Sequence, residues 1–144
     1  MIIKTACWFA PIPQDHIRIG ISRGTPRSFP AGYRKYAALC PGPWFNKVTP
    51  AEYLKLYGEL LEQLNPEKVV ADIAKLAGDK TPMLCCFESV PKIHSGEQWC
   101  HRHLVAQWLE DWLDISVEEF DHPGLDRFAK LKALGIKPPN YALA

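Results

Sequence analysis

The run Trp99-Cys100-His101-Arg102-His103 sets a thiol, two imidazoles and a guanidinium side by side. It follows the apolar stretch Met83-Leu84-Cys85-Cys86-Phe87-Glu88 after a polar loop, and a helical pattern opens at Cys100. Backbone N–H groups left free at a helix start favour anions. A thiolate at Cys100 would be stabilised there by the helix end and by Arg102. Cys100 and His101 are therefore candidate catalytic residues, with Glu88 as a proton carrier or a partner for a hydroxyl. The spacing is not that of a phosphatase loop, which needs an arginine six residues after its cysteine; position 106 is Ala106.

A second polar group comes early, where Ser22-Arg23-Gly24-Thr25-Pro26-Arg27 interrupts a β-branched run. Arg23, Arg27 and Arg102 would clamp an oxyanion through forked hydrogen bonds, with Ser22 beside them as a fourth ligand-binding residue. The partner this chemistry suits is an anionic small molecule, nucleotides first, or a nucleic acid. No cofactor is assigned.

These residues need a frame that brings them together. Ile2 to Phe9 and His16 to Ile21 read as short strands separated by Pro11, Pro13 and Asp15. Residues 28–48 mix Pro30, Gly32, Pro41, Gly42 and Pro43 with aromatic residues, and read as a packed-down flap with a short helix around Tyr33–Leu39. Thr49-Pro50-Ala51-Glu52 carries the signature of a capped helix start, and Asn65-Pro66 begins a second helix that ends at Gly78. Thr81 to Glu88 is almost wholly apolar, as expected of a central strand buried on both faces, with Glu88 emerging at its C-terminal edge before a loop from Val90 to Gln98. From Cys100 the spacing of Leu104, Val105, Trp108, Leu109 and Trp112 predicts a helix with His103, Gln107, Glu110 and Asp114 on its wet side. Val117 to Phe120 reads as a last strand, Leu125 to Leu134 as a terminal helix, and Pro138-Pro139 as the start of a tail.

Strands interleaved with helices imply an α/β fold: one three-layer domain over residues 1–144, its mainly parallel sheet flanked by helices. Ligands in such folds bind beyond the carboxyl ends of the strands. By that rule Ser22, Arg23, Glu88 and the Cys100 helix start face one cleft.

Composition narrows the class. The 144 residues are 47% hydrophobic and 23% charged, which suits one globular domain with its own core. No long apolar run is present, so no membrane partner is expected, and Met1-Ile2-Ile3-Lys4 lacks the pattern of a secretory signal, which points to the cytoplasm. Five cysteines, two of them adjacent, argue against a disulfide framework; Cys7, Cys40 and Cys85 read as buried, inert thiols. Net charge is +1, yet residues 1–48 hold seven basic residues against Asp15 alone. A split of this kind can build a positive cleft on a nearly neutral protein.

With these residues assembled, the chain resembles the family named domain of unknown function 488. The likeness lies in a strand ending Leu84, Cys86, Phe87, Glu88, then a loop and Cys100-His101-Arg102 opening a helix. Ile21-Ser22-Arg23-Gly24, Pro26-Arg27 and the segment from Glu52-Tyr53 to Leu64-Asn65-Pro66 resemble the family's early loop and helix pair. The likeness spans residues 17–120, leaving 121–144 as a C-terminal helix and tail. Phe87 where the family has tyrosine, the extra Cys85, and the segment Cys40-Pro41-Gly42-Pro43-Trp44-Phe45-Asn46-Lys47 depart from it. The resemblance implies a small α/β protein and no established activity.

Three other readings use the same residues. In a structural one, Arg102 pairs with Glu88, Cys100 packs against the sheet and His101 caps a loop. In a second, Cys85 or Cys86, His94, Cys100, His101 and His103 hold a metal, although no Cys-x-x-Cys pair occurs and the two helix imidazoles point to different sides. In a third, a non-catalytic module binds nucleic acid through Arg18, Arg23, Arg27, Arg34 and Lys35, with Tyr33, Tyr36, Trp44 or Phe45 stacking on bases. Oligomeric state has no signal in the sequence.

Overall fold

A computed structural model describes residues 2–142. The strands β1 (Ile3–Cys7), β2 (His16–Gly20), β3 (Arg34–Lys35), β4 (Thr81–Cys86) and β5 (Val117–Glu119) form one sheet. Their order is β3-β2-β4-β1-β5, and every pairing is parallel. The helices are α1 (Pro50–Glu62), α2 (Pro66–Ala77), α3 (Val90–His94), α4 (His101–Leu113) and α5 (Ala129–Ala133). The fold is α/β, and β4 lies at its centre with Met83, Leu84, Cys85 and Cys86 all buried.

Local signals account for most boundaries. Thr49 accepts from the Glu52 amide while the Glu52 carboxylate accepts from the Thr49 amide, and Pro50 follows the cap. The Asn65 side chain accepts from the amides of Glu67 and Lys68, and Gly78 ends α2 at φ +64°. Tyr57, Leu61, Val69 and Ile73 then pack the two helices on Ile17, Ile19, Ile21 and Leu84.

The buried side chains of all five helices lie on the sheet face that carries Ile3, Ile17, Ile19, Ile21, Leu84, Cys86 and Val117. The reverse face, with Ala6, Trp8, Met83 and Cys85, is covered by Ala10, Ile12, Phe29, Tyr33 and Phe120 from irregular chain. The third layer expected from sequence is thus a loop cover, and helices flank one side only. Connection direction explains this. A right-handed crossover passes over one face when the chain steps one way along the sheet and over the other face when it steps back. The β1→β2 and β2→β3 connections step toward the β3 edge and contain no helix, whereas β3→β4 and β4→β5 return and carry α1 to α4.

Other boundaries shift. The short helix expected at Tyr33–Leu39 is β3 followed by a 3₁₀ turn at Ala37–Leu39. The loop after Glu88 contains α3, pinned by buried Ile93. The terminal helix is reduced to Ala129–Ala133, ending before Gly135 at φ +74°. The last two residues of the tail lie outside the described segment.

Gly20 shows how tightly the loop cover fits. A Cβ at this position would fall 2.4 Å from the Trp8 ring, which lies across β2 and donates from Nε1 to Ser22 Oγ at 2.9 Å. Gly20→Val is expected to lower stability by about 1–3 kcal/mol through overpacking, read as a drop in the urea midpoint.

Candidate functional site

The carboxyl ends of β2 and β4 frame an open cleft of about 600 Å³. From β2 the chain carries Ser22 and Arg23 to its wall; from β4 it carries Cys86, Phe87 and Glu88. His101 comes from the first turn of α4, Tyr53 from α1 and Lys130 from α5, with Trp99 and Phe45 completing the walls. The position follows from topology. The connection leaving β2 crosses the reverse face and that leaving β4 crosses the helical face, so a crevice opens between these neighbouring strand ends.

The early and late signatures therefore meet, although not every expected member joins them. Ser22 is buried and spent on structure: it accepts from Trp8 and donates to the Gly24 carbonyl. Arg23 is exposed at the rim, donating to the Pro41 carbonyl at 3.0 Å and lying over the Phe45 ring. Arg27 is exposed and does not line the cleft. Arg102, expected to bind an anion, has no exposed surface and does not reach the cleft. Tyr53 and Lys130 were not among the expected site residues; Tyr53 meets Trp99 edge to face at 4.6 Å between ring centroids.

Glu88 behaves as an available carboxylate. Its Oε2 is buried without a hydrogen-bond partner among the described residues, and burial raises the Glu88 pKa against the opposing Arg102 charge. His101 is buried and bonded through Nε2–H to the Ile21 carbonyl at 2.8 Å. Desolvation pushes its pKa down to about 4, so the ring is neutral and Nδ1 keeps its lone pair.

The largest correction concerns Cys100. Its sulfur is bonded to that of Cys86, so the thiolate nucleophile expected from sequence is closed in this state, and one disulfide exists where none was expected. Cys100 still caps α4, accepting from the Arg102 amide at 3.4 Å, and Arg102 Nη1 lies 3.4 Å from Cys86 Sγ. Cys7, Cys40 and Cys85 are free, as expected, but only Cys85 is buried, Cys7 and Cys40 being half-buried; desolvation lifts the Cys85 thiol to about 12. Of the expected metal-ligating residues, Cys86, Cys100 and His101 converge. Cys85 packs on the reverse face, His94 is exposed on α3, and His103 is engaged elsewhere.

Behind the cleft, Arg102 binds Glu119 through Nε and Nη2 at 3.0 and 2.9 Å, and donates from Nη1 to the Glu88 carbonyl at 2.8 Å. The expected Arg102–Glu88 carboxylate pair is thus replaced by a pair with Glu119 and a backbone contact. Glu119 also accepts from Thr5 and from His103 Nε2, both at 2.8 Å. Burial alone would raise the Glu119 pKa; the His103 hydrogen bond and the Arg102 charge outweigh it and lower the group to about 2. His103, expected on the wet side of its helix, is fully buried, and desolvation lowers its pKa to about 4; its Nδ1 has no hydrogen-bond partner among the described residues. The readable signal for Glu119 is its place two residues after Val117, on the inward face of a strand, where a carboxylate needs a buried cation.

Three of the early cations are bonded to backbone carbonyls. Arg18 donates to the carbonyls of Trp8 and Ala10, Arg34 to those of Gly32 and Tyr33, and Lys35 to that of Ser22. They clamp loops. Comparison with family models, with curated proteins and with solved structures returns no match.

Two outcomes are expected of the buried network. Arg102→Leu strands the Glu119 charge and costs about 3–5 kcal/mol in urea unfolding, much of it recovered when Glu119→Leu is added. Both His103 and Glu119 titrate below their ordinary values of 6.5 and 4.5, so the unfolded chain binds protons first as pH falls. The urea midpoint is expected to drop between about pH 6.5 and 4 as the His103 imidazole, and that of His101 with it, charges in the unfolded chain, and further toward pH 2 as the Glu119 carboxyl protonates. A flat profile from pH 6.5 to 4 would contradict a neutral buried His103.

Proposed function

We propose that the cleft takes an anionic ligand with a flat ring, a nucleotide in the first instance. The observation that carries this reading is one cavity of about 600 Å³ walled by Phe45, Tyr53 and Trp99, with Arg23, Lys130 and Glu88 also lining it. A volume of this size accommodates a small ligand. Aromatic walls offer π-surface to a base, and the two cations suit a phosphate at the open side. Glu88 accepts a hydrogen bond from a ring amino group or a sugar hydroxyl, which orients the ligand. With Cys100 held in a disulfide, thiolate attack has no part in this state.

The likeness to the domain of unknown function 488 family is proposed on the sequence motifs alone, Leu84, Cys86, Phe87 and Glu88 followed by Cys100-His101-Arg102. The nucleic-acid module finds less support, because Arg18, Arg34 and Lys35 are tied to backbone carbonyls. No described helix is long and apolar enough to cross a membrane.

Calorimetric titration with adenosine and guanosine monophosphates, ribose 5-phosphate and inorganic phosphate tests the reading. A nucleoside monophosphate is expected to bind at least about tenfold more tightly than phosphate alone, and Arg23→Ala to weaken it about tenfold, the scale of one charge-assisted hydrogen bond. Absence of binding by both nucleotides at millimolar concentration, or affinity unaffected by Arg23→Ala combined with Lys130→Ala, would reject it.

A further inference from the structure

We infer that Cys86, Cys100 and His101 form a redox-controlled site for a soft divalent cation, zinc above all, at the floor of the cleft. A sulfur from each cysteine and one imidazole nitrogen all lie within 4.8 Å of one another, and all three residues are buried. Donors around a tetrahedral zinc, at ~2.0–2.3 Å from the ion, sit ~3.3–3.8 Å apart, so small side-chain movements convert the cluster into a three-ligand set. The ligands come from elements that are already fixed: the last residue of β4, the cap of α4, and the first residue of α4.

The hydrogen bonds around the cluster suit a metal. His101 donates Nε2–H to the Ile21 carbonyl, the outer contact that fixes a ligating imidazole and leaves Nδ1 to coordinate. The Arg102 amide and guanidinium point at the two sulfurs, each at 3.4 Å, and stabilise thiolate over thiol. Two buried thiolates would carry two uncompensated charges; one divalent ion cancels both, which burial favours. Cys86 and His101 also line the cleft, so the fourth position faces it and falls to water or to an anionic ligand.

The disulfide and the metal site exclude each other because they use the same sulfurs. A dithiol reductant supplies two electrons and two protons, the Cys86–Cys100 bond breaks, two thiols form, and the reductant leaves as its own disulfide. Zinc then binds and releases both thiol protons to solvent. The inference adds to the anion-binding reading of the same cleft, but its measurement uses no nucleotide, so each can fail alone.

The test is an anaerobic cobalt(II) titration of the full chain carrying Cys7→Ser and Cys40→Ser, after reduction with a phosphine that is itself oxidised to the phosphine oxide. Reduced protein is expected to bind one cobalt per chain, with sulfur-to-cobalt charge-transfer absorption and tetrahedral ligand-field bands that one equivalent of zinc abolishes. Oxidised protein gives neither. Cys100→Ser is expected to lose about half of the charge-transfer intensity, and His101→Ala to weaken cobalt at least about tenfold. Reduced, folded protein without the charge-transfer band overturns the inference, as does equal binding in the oxidised and reduced forms. Because that last comparison needs neither ligand substitution, it decides the matter even where Cys100→Ser or His101→Ala fails to fold.

Discussion

The Arg102 guanidinium is the point on which the site is built. It is fully buried, yet its donors reach Glu119 on β5, the carbonyl of Glu88 beyond β4 and the sulfur of Cys86 at the end of that strand. A buried cation is tolerable only with a carboxylate in good geometry and its remaining donors satisfied. Meeting those demands fixes α4 against two strand ends at once. Thr5 and His103 complete the shell around Glu119, which brings β1 into the same arrangement. Through it the chain segments that shape the cleft are held by charge as well as by apolar contact.

The second constraint is the order in which strands enter the sheet. The chain steps outward to β3 through connections without helices and returns through α1 to α4, so β2 and β4 send their continuations to opposite sides. The space between them is where no connection passes, and it is filled by side chains from several directions rather than by backbone. Tyr53, Trp99 and Lys130 reach it from three helical or loop segments far apart in sequence.

Much of this arrangement was legible in the sequence. The unbroken apolar character of Met83 to Cys86 marked the central strand, and Thr49 with Glu52 marked a helix start to the residue. The meeting of Ser22-Arg23 with Glu88 and His101 followed from strand ends alone. What sequence could not supply was partner choice. Arg102 read as a clamp for an external anion or as a partner of Glu88, and it meets Glu119 instead, because one-dimensional spacing does not say which strand lies behind a helix. Cys86 and Cys100 are separated by 14 residues, and their pairing depends on α4 returning onto the end of β4, which no local pattern encodes. His103 read as wet because its neighbours Gln107 and Glu110 are polar; a buried acid across the interface reversed that assignment.

The one-sided placement of the helices bears on how the molecule breathes. The helical face is closed by long elements whose hydrogen bonds break cooperatively, whereas the reverse face is closed by short irregular segments bearing Ile12, Phe29 and Tyr33. Partial opening is cheapest where few regular hydrogen bonds must be given up. Transient solvent access to the sheet is thus expected first on the side of Trp8 and Cys85.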